Sequence, residues 1–169
     1  MQAQPAPTIV GPRDGKAGSL GSIGVRFLLD AGTTHDGGFA LVEHRMPPRR
    51  LAAPLHRHSR EDEYSFVLEG RMGALLGDAV VEAGAGDLVV KPRGQWHTFW
   101  NAGDAPCRVL EIIAPGGFEG LFAALVDGAG DAPPQPEQVA ALAARYGVEF
   151  DFASVPGLCE RFGVTLGAG

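Results

Sequence analysis

The chain has 169 residues and a formal net charge of −6, and this length allows a single domain to bury a sizeable core. The acidic balance argues against nucleic acid as a partner, because nucleic-acid-binding surfaces normally cluster Lys and Arg. The 25 Gly and 13 Pro residues favour many tight turns between short strands, as in an all-β barrel.

The sequence also indicates the cellular compartment. Residues 1–10 lack a basic region followed by an apolar run, and no segment approaches the roughly 18 apolar residues of a membrane span. Cys107 and Cys159 do not make a disulfide framework and favour a reducing compartment. We therefore expect a cytoplasmic protein with no membrane partner.

In chain order, the predicted elements are a tail, a barrel and a helical appendage. Residues 1–20 are rich in Gly, Pro, Ala and Ser and are predicted to form a flexible tail. Residues 21–115 contain nine short apolar segments separated by Gly-rich turns, which predict the two sheets of a jelly roll. The predicted strands lie at about residues 22–29, 37–46, 52–57, 63–69, 71–76, 79–82, 87–91, 97–101 and 106–113.

Residues 116–169 follow a helical period instead. A first helix is expected from near Gly117, a second from Pro136 to Gly147, and a short third over residues 156–162. The first helix has one apolar face, made of Phe118, Leu121, Phe122, Leu125 and Val126. We expect these helices to pack on the barrel by covering an outer sheet face, with a lid over the barrel mouth as the alternative.

Three histidines and one glutamate form the most informative pattern: His56, His58, Glu63 and His97. A His-x-His pair on a strand points both imidazoles to one face, because side chains alternate with period two. The odd step from His58 to Glu63 requires a turn or bulge over residues 59–62. Mixed nitrogen and oxygen donors of this kind would bind a divalent transition metal and leave open positions for water or substrate.

Around these residues the sequence resembles the cupin superfamily. The first cupin motif is matched by His56, His58, Glu63 and Gly70 at the family spacing, and the second motif by Gly86, Pro92, Gly94, His97 and Asn101. One position departs from the family pattern, because Arg50 stands where a turn glycine is usual. The family spacing selects Glu63 over the neighbouring carboxylates Glu61 and Asp62.

The resemblance implies an all-β fold, the cupin double-stranded β-helix or jelly-roll barrel, here with a C-terminal α-helical appendage. It also implies that His56, His58 and His97 hold one metal ion, and that Glu63 is both a ligand and the catalytic proton acceptor. The metal could be Fe, Ni, Mn, Co, Cu or Zn. If no metal binds, the histidines only fill a polar pocket.

The chain resembles single-domain bacterial cupins and is similar to quercetin-dioxygenase-like cupins, which implies oxygenase chemistry on a small organic molecule. Two alternatives stay open. One is a non-oxidative isomerase, cyclase or dehydratase, and the other is a non-enzymatic cupin that binds a small molecule. A homodimer is a further expectation, because cupins often pair through exposed sheet edges.

Four residues are predicted to contact the substrate: Phe99, Met72, His44 and Arg45. Phe99 lies two residues after His97 and should face the same cavity. Along residues 39–46, parity places either His44 or Glu43 with Arg45 inward. The Arg-rich region from Arg45 to Arg60 is either a solvated loop or a cationic rim for an anionic substrate, and His35 is expected to be solvated in a Gly-rich turn.

Overall fold

Eleven strands and three α-helices form the described part of the chain, which covers residues 9–21, 23–33, 37–129 and 134–167 of a computed structural model. His35 lies outside these residues. The strands are β1 Ala17–Leu20, β2 Ile23–Leu29, β3 Ala40–Met46, β4 Leu55–His58, β5 Asp62–Glu69, β6 Arg71–Leu76, β7 Ala79–Gly84, β8 Leu88–Lys91, β9 His97–Asn101, β10 Cys107–Ala114 and β11 Val148–Asp151. The helices are α1 Glu119–Asp127, α2 Pro136–Arg145 and α3 Val155–Phe162.

The strands make two antiparallel sheets that face each other. One has six strands in the order β1-β2-β3-β10-β5-β8, and the other has five in the order β11-β4-β9-β6-β7. Alternating inward residues of both sheets form the interior, with Met46, Val67, Met72, Phe99 and Val109 in one buried cluster. This arrangement confirms the jelly-roll prediction, and the nine predicted strands correspond to β2–β10.

Several motif residues shape the turns rather than the interior. Gly70, Gly86 and Gly94 have φ of 79°, 95° and 78°, values that favour glycine over residues with a Cβ. Asn101 donates from Nδ2 to the carbonyl oxygens of Met46, Pro47 and Ala105, which fixes the loops beside the end of β9. At the departure from the family pattern, Arg50 donates from Nη1 to Thr165 Oγ1 at 2.6 Å and so ties the C-terminal segment to the barrel.

Two strands were not predicted. β1 comes from the end of the segment expected to be a flexible tail, and it pairs with β2, placing Leu20 opposite Ile23. β11 lies within the expected helical appendage and pairs with β4, placing Phe150 opposite His56. Both strands have only four residues, so their pairing partners, rather than their own apolar pattern, determine their structure.

α1 and α3 pack on different parts of the barrel, and Ala143 of α2 joins the same buried cluster as α1. α3 covers the outer face of the five-stranded sheet, where Leu158 lies in a buried cluster with Leu75 and Trp100. By contrast, Phe118, immediately before α1, and Leu121 on α1 join a cluster with inward-facing residues of the six-stranded sheet, including Val42 and Ile113. α3 therefore packs on an outer sheet face, whereas α1 packs against inward-facing residues of the six-stranded sheet.

Candidate metal centre

The two sheets each contribute to one buried cluster. His56 and His58 lie on β4, and His97 begins the neighbouring β9, where it is the cross-strand partner of His56. Glu63 lies on β5 in the opposite sheet, and residues 59–61 carry the chain across between the sheets. The turn expected from the odd step between His58 and Glu63 is thus present, and it lets Glu63 face the same interior point as the three histidines.

The four side chains are close enough to share one ion. Their ligand atoms lie within 4.8 Å of one another. Glu63 Oε2 is 3.0 Å from Nε2 of His97 and 3.2 Å from Nε2 of His58. All four side chains are buried, none more than 4% exposed. The cluster therefore forms one site of the size and donor chemistry that suit a single metal ion.

The imidazoles are oriented through the ring nitrogen that faces away from the cluster. Nδ1 of His56 is 2.9 Å from the carbonyl oxygen of Pro54, and Nδ1 of His97 is 3.0 Å from that of Gln95. Because a carbonyl oxygen can only accept, Nδ1 carries the proton in both rings, and Nε2 presents its lone pair to the interior. His58 has Nδ1 at 3.8 Å from Glu61 Oε2, and its buried Nε2 faces Glu63 Oε2 at 3.2 Å.

The protonation states also fit a cation. Burial lowers the pKa of His56 well below its usual value and also lowers that of His97, so both rings are neutral. For Glu63, burial by itself would raise the pKa, but Lys91 and His58 hold it well below its usual range. Two neutral imidazoles, an ionised carboxylate and the Nε2 atom of His58 are suitable ligands for a divalent metal.

The rival carboxylates lie outside the cluster. Asp62 accepts a hydrogen bond from Nη2 of Arg93 at 2.7 Å on the surface. Glu61 is buried behind His58 rather than beside Glu63.

Of the four predicted substrate-contacting residues, three lie inside the barrel and one lies on its outer face. His44, Met72 and Phe99 point into the barrel, and the ring centroid of His44 is 6.1 Å from that of Phe99. Burial, with Lys91 nearby, lowers the pKa of His44 to about 4, so this ring is neutral. Arg45 lies on the outer face, where its Nε donates to Glu43 Oε1 at 2.8 Å, and the structure does not bring it to the cluster.

A second set of charged residues beside the cluster was not predicted. Lys91 is fully buried, with Nζ 3.3 Å from Glu63 Oε2 and 2.9 Å from Glu111 Oε1. The carboxylates raise the pKa of Lys91 against the effect of burial, whereas burial raises the pKa of Glu111 to about 7 against the effect of Lys91. The sequence did carry a signal for this pair, because Lys91 and Glu111 are charged residues at inward positions of the apolar strands β8 and β10.

Aromatic side chains from the C-terminal segment were also missed as neighbours of the site. The ring of Phe118 lies 4.3 Å from that of His58, and Phe122 lies 5.3 Å from His44, both in edge-on contact. Phe150 on β11 lies 5.3 Å from His56. These rings place apolar surface beside the polar cluster.

Comparisons with known proteins agree with this architecture. Residues 42–113 match the Cupin domain family. The polyketide cyclase RemF from Streptomyces resistomycificus is 32% identical, with 65% of this chain and 80% of that chain covered and a TM-score of 0.56. The chain belongs to the cupin superfamily, and its described part forms one barrel with a buried His and Glu cluster of metal-binding type.

Two further structures share the fold at lower identity. A predicted oxalate decarboxylase from Thermotoga maritima is 20% identical, with 63% of this chain and 98% of that chain covered and a TM-score of 0.59. Streptomyces PAC13, with uridine, is 16% identical, with 68% and 87% covered and a TM-score of 0.54. A comparison with curated proteins gives no match. Among the described helices, none combines the length and apolar character needed to cross a membrane.

Proposed function

We propose that the protein is a metal-dependent cupin enzyme that catalyses a cyclisation, or a related non-oxidative reaction, on an aromatic or polyketide-like carbonyl compound. The observation that carries this proposal is the 32% identity with the polyketide cyclase RemF, which extends over 80% of that chain. The buried cluster of three histidines and Glu63 supports it, because such chemistry requires a polarised oxygen and a nearby proton acceptor.

In this proposal His56, His58, His97 and Glu63 hold one divalent metal ion, and the ion, when bound, polarises a carbonyl or enol oxygen of the substrate. Glu63 accepts the proton that leaves the carbon beside that carbonyl and returns it to the product. Lys91 and His58 hold the pKa of Glu63 below its usual range, so the carboxylate is ionised and carries no proton of its own.

The neighbouring side chains would bind and orient the substrate. Phe99, Phe118 and Phe122 offer ring faces and edges to a flat apolar molecule. His44 is buried, and its Nδ1 has no hydrogen-bond partner within the described residues, so it can accept a hydrogen bond from a substrate hydroxyl. Met72, which lies in the same buried cluster as Phe99, would add apolar surface beside it. In this proposal α1 serves as the lid over the barrel end.

The reaction type can be tested by comparing turnover in air and under argon. Protein loaded with Zn²⁺ or Mn²⁺ is incubated with a panel of polyphenolic β-diketones, and substrate and product masses are followed. We expect equal rates in both atmospheres and products that are isomers of the substrate or have lost one water. Turnover that stops under argon would contradict the proposal.

Oxygenase chemistry, implied by the resemblance to quercetin-dioxygenase-like cupins, stays a prediction, and the same experiment distinguishes it. An oxygenase would consume one O₂ for each substrate and give no product under argon. A cupin that only binds would return its ligand chemically unchanged. The identity of the metal stays open between Fe, Ni, Mn, Co, Cu and Zn, since the donor set suits each of them.

A homodimer and a cytoplasmic location also stay predictions. In support of a homodimer, β8 is an edge strand of the six-stranded sheet, and its outward residues Leu88 and Val90 are 52% and 48% exposed. An exposed apolar edge strand invites association with a second copy.

A further inference from the structure

Lys91 is completely buried and lies between two carboxylates. Its side chain is 0% exposed, and Nζ is 2.9 Å from Glu111 Oε1 and 3.3 Å from Glu63 Oε2. Nζ also lies 4.6 Å from the ring centroid of Phe99. Burying an ammonium group is costly unless it is paired, so this arrangement persists only because both carboxylates are present.

The strand register brings Lys91 and Glu111 together across β5. Lys91 is the cross-strand partner of Glu63, while Glu111 is the partner of Ser65, one inward position further along β5. Ser65 donates from Oγ to Glu111 Oε2 at 2.9 Å and to Oε1 at 3.2 Å. Its short side chain leaves room for the lysine and glutamate side chains to meet over β5.

We propose that Lys91, Glu111 and Ser65 are positioning residues for Glu63, and that Glu111 balances the charge of Lys91 so that Lys91 does not compete with the metal for Glu63. This inference rests on the metal centre of the proposed function. The ammonium has the same sign as a divalent cation that would share Glu63, and charges this close repel strongly inside a barrel. Glu111, which is nearer to Nζ than Glu63 is, compensates this repulsion.

The proposal predicts a particular pattern of metal affinities. In Glu111→Gln the uncompensated Lys91 pairs with Glu63 alone, so Zn²⁺ affinity should fall by about 10-fold or more. In Lys91→Met the affinity should not fall. In the double variant both charges are absent, so the affinity should return to within about threefold of the wild type, which is a coupling that a double-mutant cycle detects. The measurement is a competition titration against a chromophoric zinc chelator at about pH 8.

A purely structural role would give a different result. If Glu111 mattered only for packing, adding Lys91→Met would not restore Zn²⁺ binding, so a double variant as weak as Glu111→Gln overturns the proposal. Wild-type affinity in Glu111→Gln also overturns it. If Glu111→Gln does not fold, Ser65→Ala replaces it in the titration, with an expected loss of about two- to fivefold, and an unchanged affinity again counts against the proposal.

Thermal melting of the metal-stripped proteins gives a second readout. Glu111→Gln leaves Lys91 with Glu63 alone, and Lys91→Met leaves both buried carboxylates without their cation. Each single replacement should therefore lower the Tm by at least about 5 °C, whereas the double variant should lose less than the sum. If the decreases in Tm of the two single variants add up in the double variant, the pairing of Lys91 with Glu111 is overturned. A wild type that binds no Zn²⁺ contradicts the metal centre and overturns both proposals. If the wild type binds Zn²⁺ and all the variants bind it with the same affinity, only the positioning role is overturned.

Discussion

Replacement of Glu63 by glutamine is expected to lower the kcat of the metal-loaded protein by about 10³-fold. The introduced amide would keep nearly the same shape as the carboxylate, but it cannot accept a proton at neutral pH. Glu63 Oε2 lies 3.0 Å and 3.2 Å from two histidine nitrogens, so the variant should also bind metal more weakly, while His56, His58 and His97 still provide three ligands. Turnover should therefore be measured at saturating metal.

Glu160→Gln is the matched control, because Glu160 is an exposed carboxylate on α3, away from the cluster. We expect it to leave kcat unchanged. A Glu63→Gln protein that holds a full equivalent of metal and retains more than about a tenth of wild-type kcat would contradict the role of Glu63 as proton acceptor.

Replacement of Phe118 by alanine is expected to destabilise the protein by about 3–5 kcal/mol. Phe118 is 2% exposed and belongs to the cluster that joins α1 to the barrel. Its ring also lies 4.6 Å from Phe122 and 4.3 Å from His58, so truncation would leave a cavity beside the metal centre. Thermal melting should show a decrease in Tm of roughly 6–20 °C for a chain of this size.

Val80→Ala provides the comparison for this loss, since Val80 is 44% exposed on β7 and its truncation should change stability by less than about 0.5 kcal/mol. If Phe118→Ala melts within about 2 °C of the wild type, α1 does not depend on this contact, and the helix is held to the barrel by other residues.

The four clustered residues could be predicted because they fall in two short motifs that resemble those of the cupin superfamily. His-x-His on a strand fixes two side chains on one face, and the spacing of the two motifs adds Glu63 and His97. The facing of His44 and Arg45 could not be decided from parity, because β3 has charged or polar residues on both faces. The structure places His44 inside and buries Glu43 outside under Arg26, Arg45 and Arg108.

The remaining neighbours of the site depend on tertiary pairing. Lys91 and Glu111 are far apart in sequence and come together only through the register of β8, β5 and β10. Phe150 reaches His56 because a four-residue strand from the C-terminal segment adds to the edge of β4. Neither contact follows from hydrophobic periodicity, since periodicity identifies the buried face of a segment but not the partner that covers it.

The central claim is that one metal ion is held by His56, His58, Glu63 and His97. It is tested most directly by elemental analysis of protein purified without chelators or a histidine tag, alongside a His97→Ala variant. We expect close to one equivalent of a divalent transition metal in the wild type and at most about a tenth of that in the variant, because loss of one ligand from a four-residue site greatly weakens binding. A wild type that contains no metal even after reconstitution, or a His97→Ala variant that retains a full equivalent, would contradict the claim.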